Sequence, residues 1–112
     1  MIINQRRGEV SAMLGGAERR LCLTLGALAQ LEADFGVEDL QALGGRFSGG
    51  RLSAHDLITL LHAGLCGGGN ALSREDVEQL DCEGGLRGYA EIVSKLLAVT
   101  FGDAGEPTNA KS

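Results

Sequence analysis

The feature that most constrains the fold is a pair of alternating segments near the N-terminus. Residues 9–14 and 19–24 each alternate apolar with less apolar side chains, and the turn-like letters GGAE lie between them. Alternation over about six residues is typical of a half-buried β-strand. A four-residue loop over 15–18 would place Val10 opposite Leu23 and sort the apolar and polar side chains onto opposite faces. The sequence therefore predicts an N-terminal β-hairpin.

The rest of the chain has the periodicity of short helices separated by glycine-rich turns. Thr24, Ser53 and Ser73 mark helix starts, and each serine is followed three residues later by an aspartate, as in a capping box. The predicted helices are 25–35, about 37–47, two that open at these serines, and about 86–101. We expect an α+β fold, a β-hairpin followed by four or five short helices, in one domain over residues 7–102. The polar, aperiodic segment 103–112 is expected to be a disordered tail.

Composition and charge argue against several classes of partner. The 112-residue chain has a net charge of −5, and its aromatic side chains are three Phe and one Tyr with no Trp. A nucleic-acid-binding surface needs a basic face and stacking rings, so we expect no nucleic-acid partner. No run approaches the roughly 20 apolar residues that span a bilayer, and the N-terminus lacks the apolar core of a signal peptide. We expect no membrane partner, a cytoplasmic location and reduced thiols at Cys22, Cys66 and Cys82.

The segment GLCGGGNALS, residues 64–73, raises the question of a nucleotide site, because glycine-rich loops cradle phosphates. A P-loop needs a lysine after its glycines and a strand before them, and Gly67, Gly68 and Gly69 have neither. A dinucleotide-binding fingerprint fails for the same reason. We interpret the segment as a helix end and a connector, whose glycines form a hinge that lets the next helix move against the core.

Two histidines and two cysteines suggest a metal site. His55, His62 and Cys66 share one side of the third predicted helix, and Cys82 could complete a tetrahedral zinc site if the fourth helix folded back. The sequence has no C-x-x-C pair, and scattered His and Cys residues commonly share no ligand, so we expect no metal and no other cofactor. It has no G-x-S-x-G elbow either, and we therefore expect no catalytic residues and no enzymatic activity.

The last predicted helix carries more apolar surface than one core face needs. One stripe along it consists of Leu86, Ala90, Val93, Leu97 and Phe101. A second set widens the apolar surface to about half of the circumference, and this set consists of Tyr89, Ile92, Leu96 and Val99. Such a helix is either enclosed by the fold or reserved for a partner, and both alternatives are open at this point.

An acidic run precedes this helix and includes Glu75, Asp76 and Glu78. A solvated helix face is the simpler interpretation, and a surface that attracts basic partners is the alternative. Under the partner alternative, these three carboxylates form the predicted binding surface together with Tyr89, Ile92, Leu96 and Val99.

Four segments occur in an order and spacing that resemble a known family, namely RGEV at 7–10, LTLGALAQLEADFG at 23–36, GRLSAHDLITLLHAGL at 50–65 and LLAVTFG at 96–102. The family is the gene-transfer-agent group of small phage-derived tail proteins, usually classed with phage tail assembly chaperones. The resemblance covers about residues 7–102 and implies a non-enzymatic chaperone-like domain that binds the tape-measure protein. It leaves open a structural tail component built into the particle, with other tail proteins or further copies of itself as partners.

Overall fold

Two consecutive glycines determine the geometry of the N-terminal hairpin. The computed structural model describes residues 8–49 and 51–102, and its hairpin joins β1 (Glu9–Leu14) to β2 (Ala17–Cys22). Gly15 and Gly16 have φ values of 66° and 80°, the left-handed backbone that a two-residue type I′ turn requires. Val10 therefore pairs with Leu21 and not with Leu23. The predicted four-residue loop is wrong, because the turn has two residues, and this moves the pairing by two positions along β2. Because an even shift leaves each side chain on its own face, Leu14, Leu21 and Leu23 on the predicted inner face are nonetheless buried, and Val10 and Ala12 pack against the core.

Five helices follow within the described residues, which confirms the predicted α+β fold. They are α1 (Leu25–Phe35), α2 (Leu40–Phe47), α3 (Ala54–Gly67), α4 (Arg74–Glu78) and α5 (Gly85–Phe101). Thr24 caps α1, and the capping boxes predicted at Ser53 and Ser73 both form. The second helix begins later than predicted because the side chain of Asp39 caps it. The predicted disordered tail, 103–112, lies outside the described residues.

The core lies between the hairpin and α3, the central helix. α3 packs against β2, α1, α4 and α5, and α5 packs against β1. Gly64 allows the close approach of α3, since a Cβ there would lie 2.6 Å from Cδ2 of Leu96 and 3.3 Å from Cδ2 of Leu21. The largest fully buried side chains are Leu14, Leu21, Leu31, Leu43, Leu60, Leu65, Val93 and Leu96. In the described ranges, no helix has the length and apolar content that crossing a membrane requires.

The end of α3 lies directly against the outer edge of β2. A Cβ on Gly67 would overlap the carbonyl oxygen of Cys22, and one on Gly68 would overlap that of Arg20. Nδ2 of Asn70 donates a hydrogen bond of 2.8 Å to the same Arg20 oxygen. Glycine is needed at positions 67 and 68 for this close approach, and the contacts argue against the predicted hinge. The segment instead covers the β2 edge.

The segment between α4 and α5 holds the turn of the hairpin. Gly15 donates its N–H to the Asp81 carbonyl oxygen at 2.8 Å, and Leu14 forms an isolated antiparallel bridge with Cys82. Gly84, with a φ of 88°, then directs the chain into α5. These contacts set where α5 begins and therefore which of its faces meets the hairpin.

Candidate partner-binding surface

An apolar groove runs between α3, α4 and α5, and we call it the α3–α5 groove. It has a volume of about 200 Å³, and its apolar lining includes Leu57, Ile58, Leu61, Val77, Leu86 and Tyr89. Leu86 is 70% exposed, whereas Leu57 and Val77 are buried beneath it. A contiguous apolar surface that remains open to solvent is the kind of feature that marks an interaction site.

The four residues predicted on the last helix have different environments. Tyr89 is half-buried, and its hydroxyl donates a hydrogen bond to the carbonyl oxygen of Leu80, just after α4. Ile92 is half-buried against the core, and Val99 is 41% exposed. Leu96 is fully buried next to α3, so it belongs to the core and is not accessible to a partner. The centre of this helix is therefore enclosed by the fold, while its flanks are accessible.

The three predicted acidic residues also differ in what they contact. Asp76 completes the capping box of α4, where its Oδ2 accepts a hydrogen bond of 3.0 Å from the backbone N–H of Ser73. Glu78 lines the α3–α5 groove, and its Oε2 lies 4.0 Å from Nε of Arg74, an exposed ion pair that contributes little to stability. Glu75 lies one turn before Glu78 and is exposed. Glu75 and Glu78 place negative charge on this surface, whereas Asp76 stabilises the start of its helix.

A second groove, between α2 and α5, is a feature that the sequence pattern did not predict. It has a volume of about 600 Å³, and its lining includes Gly44, Phe47, Leu97 and Phe101. A Cβ on Gly44 would lie 3.2 Å from Cδ1 of Phe101, so glycine permits this close approach. The Gly44–Gly45 pair inside a helix is the signal that could have revealed the groove. Glycine destabilises a helix, so its presence there suggests that a neighbouring side chain needs the space that a Cβ would fill.

The four candidate metal ligands are not brought together. Nε2 of His62 lies 3.4 Å from Sγ of Cys66. Nδ1 of His55 lies instead 3.0 Å from Nη2 of Arg74. Cys82 lies at the hairpin turn, in the segment between α4 and α5. In the part of the chain that the structure describes, no three His, Cys, Asp or Glu side chains are grouped so that they could hold a metal ion.

Two side chains close to the start of α5 have raised pKa values. Burial raises the pKa of the Cys82 thiol, and the charges of Glu83 and Glu91 raise it further. Burial is also the main cause of the raised pKa of the Tyr89 hydroxyl, with Cys82 and Asp81 adding to it. Both groups stay protonated at neutral pH, whereas an activated nucleophile needs a lowered pKa or a neighbouring base.

Comparison with known proteins identifies a family for nearly the whole chain. Residues 7–103 match the family described as "Phage tail tube protein, GTA-gp10". No curated protein and no solved structure matches the chain.

The family corrects the predicted function. A tail tube protein is a component of the tail itself, so the predicted assembly chaperone is wrong and the alternative of a structural tail component is favoured. The resemblance to phage and gene-transfer-agent tail proteins is confirmed, but its assignment to the chaperones is not. The chain belongs to the phage tail tube protein family GTA-gp10.

Proposed function

We propose that this chain is a structural, non-enzymatic subunit of a phage-like tail, assembled in the cytoplasm. Its match to the tail tube family over residues 7–103 is the observation that carries the proposal. A structural subunit acts through its surfaces, because each copy is held in an assembly by contacts with its neighbours. The question for this chain is therefore which exposed surface makes those contacts.

The α3–α5 groove is the surface best suited to hold a neighbouring tail protein. Its apolar lining and the exposed side chain of Leu86 offer area that a partner can remove from water. The carboxylates of Glu75 and Glu78 favour a partner segment in which a basic residue follows apolar ones. The proposed contact residues are Glu78, Leu86 and Tyr89, which line the groove, and Glu75 one turn before Glu78 on α4, whereas Ile92 and Val99 are not part of its lining.

The partner in this groove is another tail protein or a further copy of the chain. A helix with an apolar stripe fits a groove between helices, since its side chains at every third or fourth position enter the groove together. The tape-measure protein is one candidate among the tail proteins. Replacing Leu86 by Cys, in a background in which Cys22, Cys66 and Cys82 are replaced by serine, and attaching a photocrosslinker would identify the neighbour in assembled particles.

Quantitative mass spectrometry of purified particles tests the structural role. A structural subunit is expected in every particle, in a constant ratio to the other tail proteins. If particles require the gene for their formation but contain none of the protein, the structural role is refuted.

The substitution Leu86→Asp tests the groove, with Leu25→Asp as a matched control. Leu86 is 70% exposed and Leu25, at the start of α1, is 77% exposed, so neither change removes a core side chain. Burying a leucine at an interface contributes about 1.5–3 kcal/mol, so we expect Leu86→Asp to lower incorporation about tenfold or more. Leu25→Asp should leave it unchanged. Equal incorporation of the two variants would exclude the groove as the contact without affecting the structural role.

A further inference from the structure

The segment after α3 places a backbone carbonyl oxygen next to two side chains of that helix. His62 and Cys66 are four residues apart on α3, so their side chains project from the same face, and Sγ of Cys66 lies 3.4 Å from Nε2 of His62. The carbonyl oxygen of Leu72 lies 3.0 Å from the same Nε2 and 3.6 Å from the same Sγ. A nitrogen, a sulfur and an oxygen atom thus form a triangle beside the end of α3.

The fold fixes the position of the Leu72 oxygen from both sides. Before it, the N–H of Leu72 donates a hydrogen bond of 3.0 Å to the carbonyl oxygen of Asn70, whose side chain is itself bonded to the Arg20 oxygen on β2. After it, the capping box of α4 begins at the next residue. Among the described residues, the Leu72 oxygen has the two α3 side chains as its hydrogen-bond partners and no backbone N–H. The oxygen is therefore held toward these two side chains.

The three atoms have the spacing of ligands in a tetrahedral metal site. With bonds of about 2.0 Å to nitrogen, 2.1 Å to oxygen and 2.3 Å to sulfur, tetrahedral angles place the ligand atoms about 3.3–3.6 Å apart. The observed separations of 3.4 and 3.6 Å fit this range. The 3.0 Å nitrogen–oxygen distance is shorter by about 0.3 Å, so the His62 ring has to shift by only that amount. Ligands four residues apart on a helix are also the arrangement of the H-E-x-x-H zinc motif.

We propose that Cys66, His62 and the carbonyl oxygen of Leu72 bind a thiophilic divalent metal ion such as Zn²⁺, with water as the fourth ligand. This inference goes beyond the proposed function and does not depend on it. A thiolate and an imidazole select Zn²⁺ over Mg²⁺ and Ca²⁺, which prefer oxygen ligands. Two of the four ligands considered from the sequence take part in this site, whereas His55 and Cys82 contact other parts of the fold. The third ligand is a backbone oxygen, which a search for His and Cys residues does not find.

The proposed site is open to solvent on one side. Cys66 is exposed, and both side chains line a pocket of about 290 Å³ between α1 and α3, which gives the ion a path of entry and the fourth ligand its room. The two charged side chains of this lining, Asp34 and Arg74, have opposite signs. Since a carbonyl oxygen only accepts hydrogen bonds, Nε2 of His62 carries the imidazole proton in the free chain. On metal binding this proton moves to Nδ1 and the thiol proton passes to solvent, so that both ligand atoms turn a lone pair to the metal.

Isothermal titration of the metal-free full chain with Zn²⁺, under reducing conditions, tests the site. We expect one Zn²⁺ per chain. Cys66→Ser should weaken binding at least about tenfold, because even the loss of a partner outside the ligand set costs about 10–100-fold in metal affinity. Cys66 is exposed, so this change leaves the core intact. Cys22→Ser is the matched control and should bind Zn²⁺ as the wild type does. His62→Gln and His55→Gln form a second pair, of which only the first should weaken binding.

Titration with Co²⁺ in place of Zn²⁺ shows whether the thiolate is a direct ligand. A thiolate bound to Co²⁺ gives a charge-transfer band in the near ultraviolet, which we expect for the wild type and Cys22→Ser and not for Cys66→Ser. Circular dichroism confirms that the variants are folded. Failure of the wild type to bind Zn²⁺, or equal affinities of Cys66→Ser and Cys22→Ser, would overturn the proposal and leave the three atoms as an ordinary hydrogen-bonded group. The structural role would be unaffected by that result, since it is tested by the composition of particles.

Discussion

The substitution Gly68→Ala tests whether the end of α3 is in close contact with β2 or acts as a hinge. A Cβ there would lie 2.6 Å from the carbonyl carbon of Arg20 and 3.1 Å from Cα of Leu21. Cβ atoms in real structures essentially never come within 3.0 Å of another atom, so the end of α3 must move away from β2. These neighbouring atoms belong to the backbone, and no flexible side chain can rotate away to relieve the overlap.

The movement reduces the free energy of unfolding in two ways. Overpacking of a well-packed contact costs roughly 1–3 kcal/mol. The 2.8 Å hydrogen bond from Asn70 to the Arg20 carbonyl oxygen is also lengthened, and its loss costs about 0.5–1.5 kcal/mol. We therefore expect Gly68→Ala to destabilise the domain by roughly 2–4 kcal/mol. That is a large share of the stability of a small domain, which is about 5–15 kcal/mol.

Gly45→Ala is the matched control for this substitution. Position 45 lies within α2, and no atom lies within 4 Å of a Cβ built there. Alanine should therefore stabilise the helix by about 0.5–1 kcal/mol. Thermal unfolding followed by circular dichroism should show a Tm lower by roughly 10–25 °C for Gly68→Ala and slightly higher for Gly45→Ala. A Gly68→Ala domain as stable as the wild type would refute the close contact and support the hinge.

Two further predictions concern a helix cap and the single tyrosine. Ser53→Ala removes the 3.0 Å hydrogen bond from the Asp56 N–H to Oγ of Ser53; we expect a loss of about 0.5–2 kcal/mol in urea unfolding, and an unchanged midpoint would contradict the capping role. The pKa of Tyr89 is raised in the fold. In a titration followed by phenolate absorbance, the midpoint pH of the native chain should therefore lie above the usual tyrosine pKa of about 10, and that of the chain in urea should lie near it. The stability linked to the tyrosine is complete below its unfolded pKa and is lost as pH rises through its folded pKa. Tyr89→Phe should remove this contribution and leave that of Cys82, whose pKa is also raised.

The starts of α1, α3 and α4 were predictable because capping is local, whereas the Asp39 cap of α2 was not predicted. The side chains of Ser53 and Ser73 bond to N–H groups three residues away, and both capping boxes form as predicted. The hairpin strands were predictable from alternation, but their register depended on the conformation of one turn. Gly15 and Gly16 both adopt positive φ, and this two-residue turn moved the pairing by two positions.

The candidate surface was predictable only in outline. Periodicity showed that the last helix carries excess apolar surface, yet it could not separate Leu96, which is fully buried, from Val99, which is 41% exposed. That distinction depends on how the hairpin and α3 pack against the helix. The acidic run likewise did not show that Asp76 accepts a hydrogen bond in the capping box of α4 while Glu78 lines a groove.

The sequence by itself determined the order of the elements, the caps at Thr24, Ser53 and Ser73, and the membership in a phage-derived tail family. These depend on residues close together in the chain or on the pattern as a whole. Only the tertiary structure decided what the glycines after α3 do, since the carbonyl oxygens that require them come from β2, more than forty residues earlier. It also decided that the end of α3 covers the outer edge of β2. Exposure depends on the neighbours that distant parts of the chain supply, and a linear pattern does not contain that information.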